Sequence, residues 1–336
     1  MEPDVLDNGP YEKKSLDHST LHPVYPPRAD TLDAIGNTPL VEVTGVSPNA
    51  QVSIYAKLEG ANPTGSLKDR IAKYMIEQAE KDGQLSTGKV ILEPTSGNTG
   101  ISLAMIGRIK GYAVHVVMPE NVSVERVQLL RAYGAEIHYS EGSLGTNGAI
   151  QVAQQMIEKE KSYVMLYQYG NPANPRAHYE TTGKEIVQAL PDIDVFIAGL
   201  GTGGTLMGVG KRLKEHNSRV RVIAVAPPQD DLIQGLRRLE DGFTPPIVDL
   251  AVLDARIMIE SQEAFRWTKE LLHRAGIFAG ISSGAVIACA RRIAQRMEKG
   301  KIVCLLADGG WKYLSTGLWS REYDEMEEEI SGKVWW

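Results

Sequence analysis

What most constrains this chain is a repeated pattern: a short unbroken apolar run, a turn rich in glycine or hydroxyl residues, then a stretch with helical period. The apolar runs are Val90–Leu92, Val114–Met118, Val195–Leu200, Val220–Val225 and Ile302–Leu306. A strand with one wet face alternates apolar and polar residues. A run that is apolar throughout must be covered on both faces, which is the situation of parallel strands sandwiched between helices. The pattern therefore predicts an α/β fold of three-layer units with mostly parallel sheets. The chain has 336 residues, 43% of them hydrophobic, enough for two such units with separate cores. Two runs lead directly into loops that open helices: Val90–Glu93 into Thr95–Gly100, and Val195–Leu200 into Gly201–Thr205. Ligands of open α/β sheets sit beyond the carboxyl ends of the strands, so both loops are candidate site loops.

Composition excludes several function classes. The net charge is -6 with acidic and basic residues mixed. No basic stripe appears, which argues against nucleic-acid binding. No apolar run reaches the length of a membrane span, and no charged-then-apolar leader pattern opens the chain. The expected location is the cytoplasm. The two cysteines, Cys289 and Cys304, lie in apolar stretches and read as buried free thiols. No Cys/His spacing suggests zinc, and none of the seven histidines forms an i, i+4 pair around a Glu. The expectation is no metal.

The glycine loop Gly199-Leu-Gly-Thr-Gly-Gly-Thr205 lets backbone approach an anion closely, and successive N–H groups at a helix N-terminus can then hold it. It comes late in the chain, and the first long strand–helix unit carries Thr-Ser-Gly-Asn-Thr-Gly rather than a dinucleotide fingerprint. A single phosphate is the better match. Thr95-Ser-Gly-Asn-Thr-Gly100 offers hydroxyls, an amide and backbone donors at a helix start. That exceeds what a cap needs and suits a carboxylate. Lys68, in Asn62-Pro-Thr-Gly-Ser-Leu-Lys-Asp-Arg70, falls in the first turn of a predicted helix. A cation there opposes the helix dipole, whereas a neutral or imine-linked lysine does not.

Taken together, these segments resemble the β-family of pyridoxal-phosphate (PLP) enzymes, fold type II, and within it the cysteine synthase and cystathionine β-synthase group. The resemblance runs through Gly36-Asn-Thr-Pro-Leu40, Lys57-Leu-Glu59, Asn62–Arg70, Glu93–Gly100, Met118-Pro-Glu120 with Ser123, Glu125 and Arg126, Gln168–Pro175, Gly199–Thr205, Gly280-Ile-Ser-Ser-Gly284 and Tyr313-Leu-Ser-Thr316. It implies two domains in the manner of the tryptophan synthase β-subunit. Residues 57–163 would form a smaller, mobile substrate-binding domain, and 28–56 with 164–317 a larger phosphate-binding one. A flexible arm (1–27) and an acidic tail (318–336) would flank them. It implies Lys68 in Schiff-base linkage to PLP, Asn98 on the cofactor's phenolic oxygen, Gly201, Thr202, Gly203, Gly204 and Thr205 as the phosphate cradle, and Ser282 on the pyridine nitrogen. Thr95, Ser96, Gly97, Thr99 and Gln168 would hold the substrate carboxylate. The implied chemistry is β-replacement on an activated serine through an α-aminoacrylate, in a homodimer. A serine at the ring nitrogen makes the ring a weaker electron sink than an aspartate would.

Ala226-Pro227 and Trp311-Lys312 depart from the family's commoner Glu-Pro and acidic-basic pairs. Tyr167–Asn174, Gly309–Gly317 and the Trp335-Trp336 terminus resemble the O-phosphoserine-using branch of actinobacterial type. That branch implies Arg237 as the ligand of the substrate phosphate. The donor would be sulfide or a thiocarboxylated sulfur-carrier protein. O-Acetylserine sulfhydrylase, then a cystathionine β-synthase-type activity, are the alternatives. The acidic run Glu322–Glu329 followed by Trp335 and Trp336 reads as a lid over the site.

Overall fold

The computed structural model describes residues 27–95, 97–229, 231–239, 243–323 and 325. Among these residues ten strands form two sheets: β1 (Leu40–Glu42), β2 (Val52–Leu58), β3 (Val90–Pro94), β4 (Ala113–Pro119), β5 (Glu136–Ser140), β6 (Tyr163–Met165), β7 (Val195–Gly199), β8 (Arg221–Ala226), β9 (Ala255–Met258) and β10 (Gly300–Leu306). The larger sheet has the order β1-β2-β10-β7-β8-β9 and the smaller β5-β4-β3-β6. Every pairing is parallel except β1 with β2. All five apolar runs lie within or beside strands, as the pattern requires.

Alternation along each interior strand feeds two cores. In β7, Val195 and Ile197 face one core while Phe196 and Ala198 face the other. In β10, Ile302, Cys304 and Leu306 divide in the same way from Val303 and Leu305. The first of these cores is closed by helix Ile281–Ala294 and the second by helix Gly204–His216. Both cysteines are buried and free. In the smaller sheet, Ile91, Val116 and Met118 pack with Ile71, Met75, Ile101 and Met105, whereas Leu92 and Val117 meet Ala149 and Ala153 on the other face. Each sheet is thus the middle of three layers.

An ion network flanks the end of β2. Arg70, fully buried, bonds Glu59 at 2.7 Å and Glu185 at 2.6 Å, and Lys57 reaches Glu185 at 2.6 Å. Arg70 belongs to the helix Lys68–Lys81, so the network anchors the helix that begins with Lys68. Beyond Gly317, Leu318 is buried, Trp319 packs on Phe278 and Tyr323 on Phe265. The N-terminal arm through residue 26, and the residues of the expected lid from 326 on, lie outside the described residues.

Candidate active site

Four strand ends converge. The loops after β3, β7 and β8 and the turn after β10 line one cleft, together with the first turns of helices Lys68–Lys81 and Ile281–Ala294. Lys68, Thr95, Gly97, Asn98, Thr99, Gln168, Gly201, Thr202, Gly203, Thr205, Arg237 and Ser282 all border it. Gly204 is buried as the first residue of its helix. Ser96 lies outside the described residues.

The lysine is held by its loop. Leu67 donates its N–H to the Ala307 carbonyl at 2.9 Å, and Gly309 donates to the Gly65 carbonyl at 3.1 Å. The loop before Lys68 is therefore stitched to the turn that follows β10. Burial pushes the Lys68 amine down to about 8, against the opposing pull of Asp308. A lysine with that pKa has an accessible neutral form, which is the nucleophilic one.

Asn98 opens the helix Asn98–Lys110. Its amide is oriented from both ends: Nδ2 donates to Asp308 Oδ2 at 2.7 Å, and Oδ1 accepts from Lys312 Nζ at 2.6 Å. Asp308 Oδ2 also accepts from the Tyr313 hydroxyl at 2.6 Å. Lys312 is buried, and that burial pushes its amine down to about 8, Asp308 and Asp69 opposing. Asp308 Oδ1 is buried without a hydrogen-bond partner. That oxygen lies against Gly280, where a Cβ would come within 2.1 Å of it.

In the Thr95–Gly100 loop, Thr99 donates through Oγ1 to Gln168 Oε1 at 2.7 Å. The Gln168 backbone is fixed by Glu93, which accepts from the N–H groups of Tyr167 and Gln168 at 2.8 and 2.9 Å. Burial raises Glu93 to about 7, those two N–H bonds opposing the rise. Tyr167 adopts φ 55, a left-handed conformation uncommon for a residue with a side chain. The bonds to Glu93 hold that turn.

The glycine loop needs its glycines. Gly203 sits at φ 89, and a Cβ there would lie 2.3 Å from Val248. A Cβ on Gly204 would lie 1.9 Å from Asn174 Oδ1, while Asn174 Nδ2 donates to the Gln168 carbonyl and Thr202 Oγ1. The loop ends at the N-terminus of Gly204–His216, whose first N–H groups lack intrahelical partners. Behind it, Thr205 Oγ1 lies 3.2 Å from His178 Nε2. Burial holds His178 well below its ordinary pKa, and Arg70 and Lys68 add to the effect. The residue backing the loop is thus a neutral imidazole.

Arg237 is not on an exposed helix face. It is 8% exposed in an irregular segment, and its N–H donates to the Leu200 carbonyl at 2.7 Å. Its guanidinium lies over the rings of Phe243 and Tyr169, 4.9 and 5.3 Å from their centroids. No carboxylate among the described residues pairs with it. A second cleft cation, Arg126, packs against Gly97, where a Cβ would come within 2.6 Å of its Nε. That Nε is itself buried without a partner. Arg126, Tyr169, Asp308, Lys312 and Tyr313 all escaped assignment from sequence. Asp308 carried a usable signal, since it is the first polar residue after the apolar run Ile302–Leu306.

The arrangement joins a lysine of lowered pKa, a helix-terminal glycine cradle and hydroxyl and amide donors. That is a fit to a phosphorylated carbonyl compound held covalently beside an amino-acid carboxylate. Comparison with known proteins agrees. Residues 31–308 match the family model described as pyridoxal-phosphate dependent enzyme. The chain is 45% identical to a cysteine synthase of Aquifex aeolicus over 303 residues, covering 87% of this chain and 93% of that one. The solved structure of cysteine synthase from Entamoeba histolytica superposes with TM-score 0.84 at 36% identity, covering 93% and 96% of the two chains. That of O-ureido-L-serine synthase gives 0.83 at 38%, covering 90% and 100%.

Proposed function

The chain belongs to the pyridoxal-phosphate-dependent cysteine synthases, and from that premise we propose that it makes cysteine by β-replacement on O-phospho-L-serine. The observation that carries the substrate choice is Arg237, buried in the cleft over two aromatic rings with no carboxylate partner among the described residues. A buried guanidinium needs an anion to offset its desolvation. A phosphate ester carries nearly two negative charges, and an acetate ester carries none.

In this reading, Gly201 to Thr205 hold the cofactor phosphate, Asn98 its phenolic oxygen and Ser282 its ring nitrogen. PLP supplies the electron sink that labilises the Cα proton and the β-substituent. Lys68 would be the residue that holds the cofactor covalently, and its free amine, with its pKa lowered to about 8, would be able to accept the Cα proton near neutrality. Thr95, Gly97, Thr99 and Gln168 orient the substrate carboxylate, with Ser96 assigned there from the sequence motif. The sulfur donor is sulfide or a thiocarboxylate.

A second reading, O-acetylserine as substrate, is favoured by the Entamoeba histolytica structure, which is described as an O-acetylserine sulfhydrylase. The test is a side-by-side measurement of kcat/KM for O-phosphoserine and O-acetylserine with one sulfide concentration. Higher efficiency with O-phosphoserine supports the proposal, and higher efficiency with O-acetylserine overturns it.

A further inference from the structure

Away from the cleft, the smaller sheet carries a cluster that the reaction does not use. His115 on β4 and Glu136 on β5 are register partners. His138 lies two residues beyond Glu136, so the strand period places it on the same face. His115 Nε2 is 3.3 Å from Glu136 Oε2, and His138 Nε2 is 3.3 Å from Glu136 Oε1. One potential ligand atom from each residue lies within 4.8 Å of the others, and this is the one such group among the described residues. We propose that His115, His138 and Glu136 bind a single divalent ion of the zinc class.

The donor set selects the ion class. Two imidazoles and a carboxylate suit zinc, cobalt and their neighbours, whereas magnesium and calcium take oxygen ligands. Zinc bonds of about 2.0–2.1 Å in tetrahedral geometry place neighbouring ligand atoms about 3.3 Å apart. Each imidazole already has that spacing to one Glu136 oxygen, His115 to Oε2 and His138 to Oε1. The arrangement also contains the outer partner that a metal-bound histidine requires. With Nε2 on the ion, His115 Nδ1–H faces the Tyr163 hydroxyl at 2.9 Å, reaching across from β6. Such a contact fixes tautomer and ring direction. The direct contact between His138 Nε2 and His115 Nδ1, 3.1 Å long, is exchanged for the two bonds to the ion. His115 and His138 side chains are 17% and 29% exposed and Glu136 60%, so an ion can enter from solvent and keep a water in its open position. The ion joins β5, an edge strand, to β4, and so acts on the stability of that sheet rather than on the reaction.

The test titrates zinc ion into chelator-treated, PLP-loaded enzyme against a chromophoric competitor. It repeats the titration with His115→Ala, His138→Ala, Glu136→Gln and Tyr163→Phe. The expected result is one zinc per chain and a melting temperature that rises with zinc. Each ligand variant loses that high-affinity binding, and Tyr163→Phe weakens it by about ten-fold. The cofactor absorbance should stay unchanged throughout. Cobalt ion in place of zinc should give the visible bands of a tetrahedral site, and magnesium should not compete. No saturable zinc binding by the wild type overturns the proposal. So does binding that all the ligand variants retain, which would place the ion elsewhere, for example at the cofactor phosphate. Glu136 is exposed, so Glu136→Gln carries the test if a histidine variant does not fold.

Discussion

Replacing Arg237 by alanine separates the two substrate readings. The guanidinium is buried against Tyr169 and Phe243, rings that hold it in the cleft while one of its donors meets the Tyr169 side chain. A planar fork can take two phosphate oxygens at once. A charge-assisted hydrogen bond contributes roughly 1.5–3 kcal/mol. Losing one therefore lowers kcat/KM for O-phosphoserine by about 10- to 100-fold, at about 1.4 kcal/mol per decade. O-Acetylserine presents no charge at that position, so its kcat/KM should stay near the wild-type value. Arg237→Lys keeps the charge but not the fork and should fall between. Arg238 is the internal control. It is half-buried beside Arg237, and its Nη1 donates to the Pro228 carbonyl at 3.4 Å, so Arg238→Ala should not discriminate between the substrates. The assay is initial-rate cysteine formation with each substrate at fixed sulfide. Equal losses on both substrates would refute the reasoning, because Arg237 would then serve folding or general binding. No loss on either would refute it as well.

Four further outcomes follow from the cleft. Lys68→Ala should lose PLP that survives denaturation and should turn over only with added amine. In the wild-type apoenzyme, PLP attachment should accelerate as pH rises through about 8, because the neutral amine is the nucleophile. A midpoint near the ordinary lysine value would contradict the burial argument. Gly204→Ala forces a methyl into Asn174, which two hydrogen bonds hold in place. PLP affinity, followed by cofactor fluorescence, should weaken by at least about ten-fold for a strained contact of this kind. Lys312→Met removes the donor that sets the Asn98 amide, so the PLP absorbance maximum should move and PLP retention on dialysis should fall. An unchanged spectrum would make Lys312 a packing residue only.

How much of this was legible depended on whether a signal was local. The interior strands β3, β4, β7, β8 and β10 announced themselves because burial on both faces demands unbroken apolar runs. The strands β1, β5, β6 and β9 did not, and all four are edges. An edge strand tolerates residues such as Glu136 and His138, so its composition resembles that of a loop. β2 is interior but alternates, with Ser53, Tyr55 and Lys57 half-covered or paired. The site divides in the same way. Lys68, the hydroxyl loop and the glycine loop are contiguous motifs whose chemistry is readable in order. Asp308 and Lys312 reach Asn98 from the turn after β10, which is stitched to the loop before Lys68 by contacts between residues more than 200 positions apart in the chain, and Arg126 packs on Gly97 from another helix.

The same physics explains why a zinc-class cluster escaped a search by spacing. Familiar linear zinc signatures bring their ligands from one helix or one tight turn, at separations of three to five residues. In a parallel sheet, ligands on one face come at a separation of two within a strand, or from neighbouring strands joined by a whole helical crossover. His115 therefore stands 23 positions from His138, with Glu136 between them in space and nearly adjacent to one of them in sequence. No linear pattern distinguishes that from chance. Register does, because the pairing of His115 with Glu136 turns three scattered polar residues of an edge strand and its neighbour into one set of ligands facing the same way.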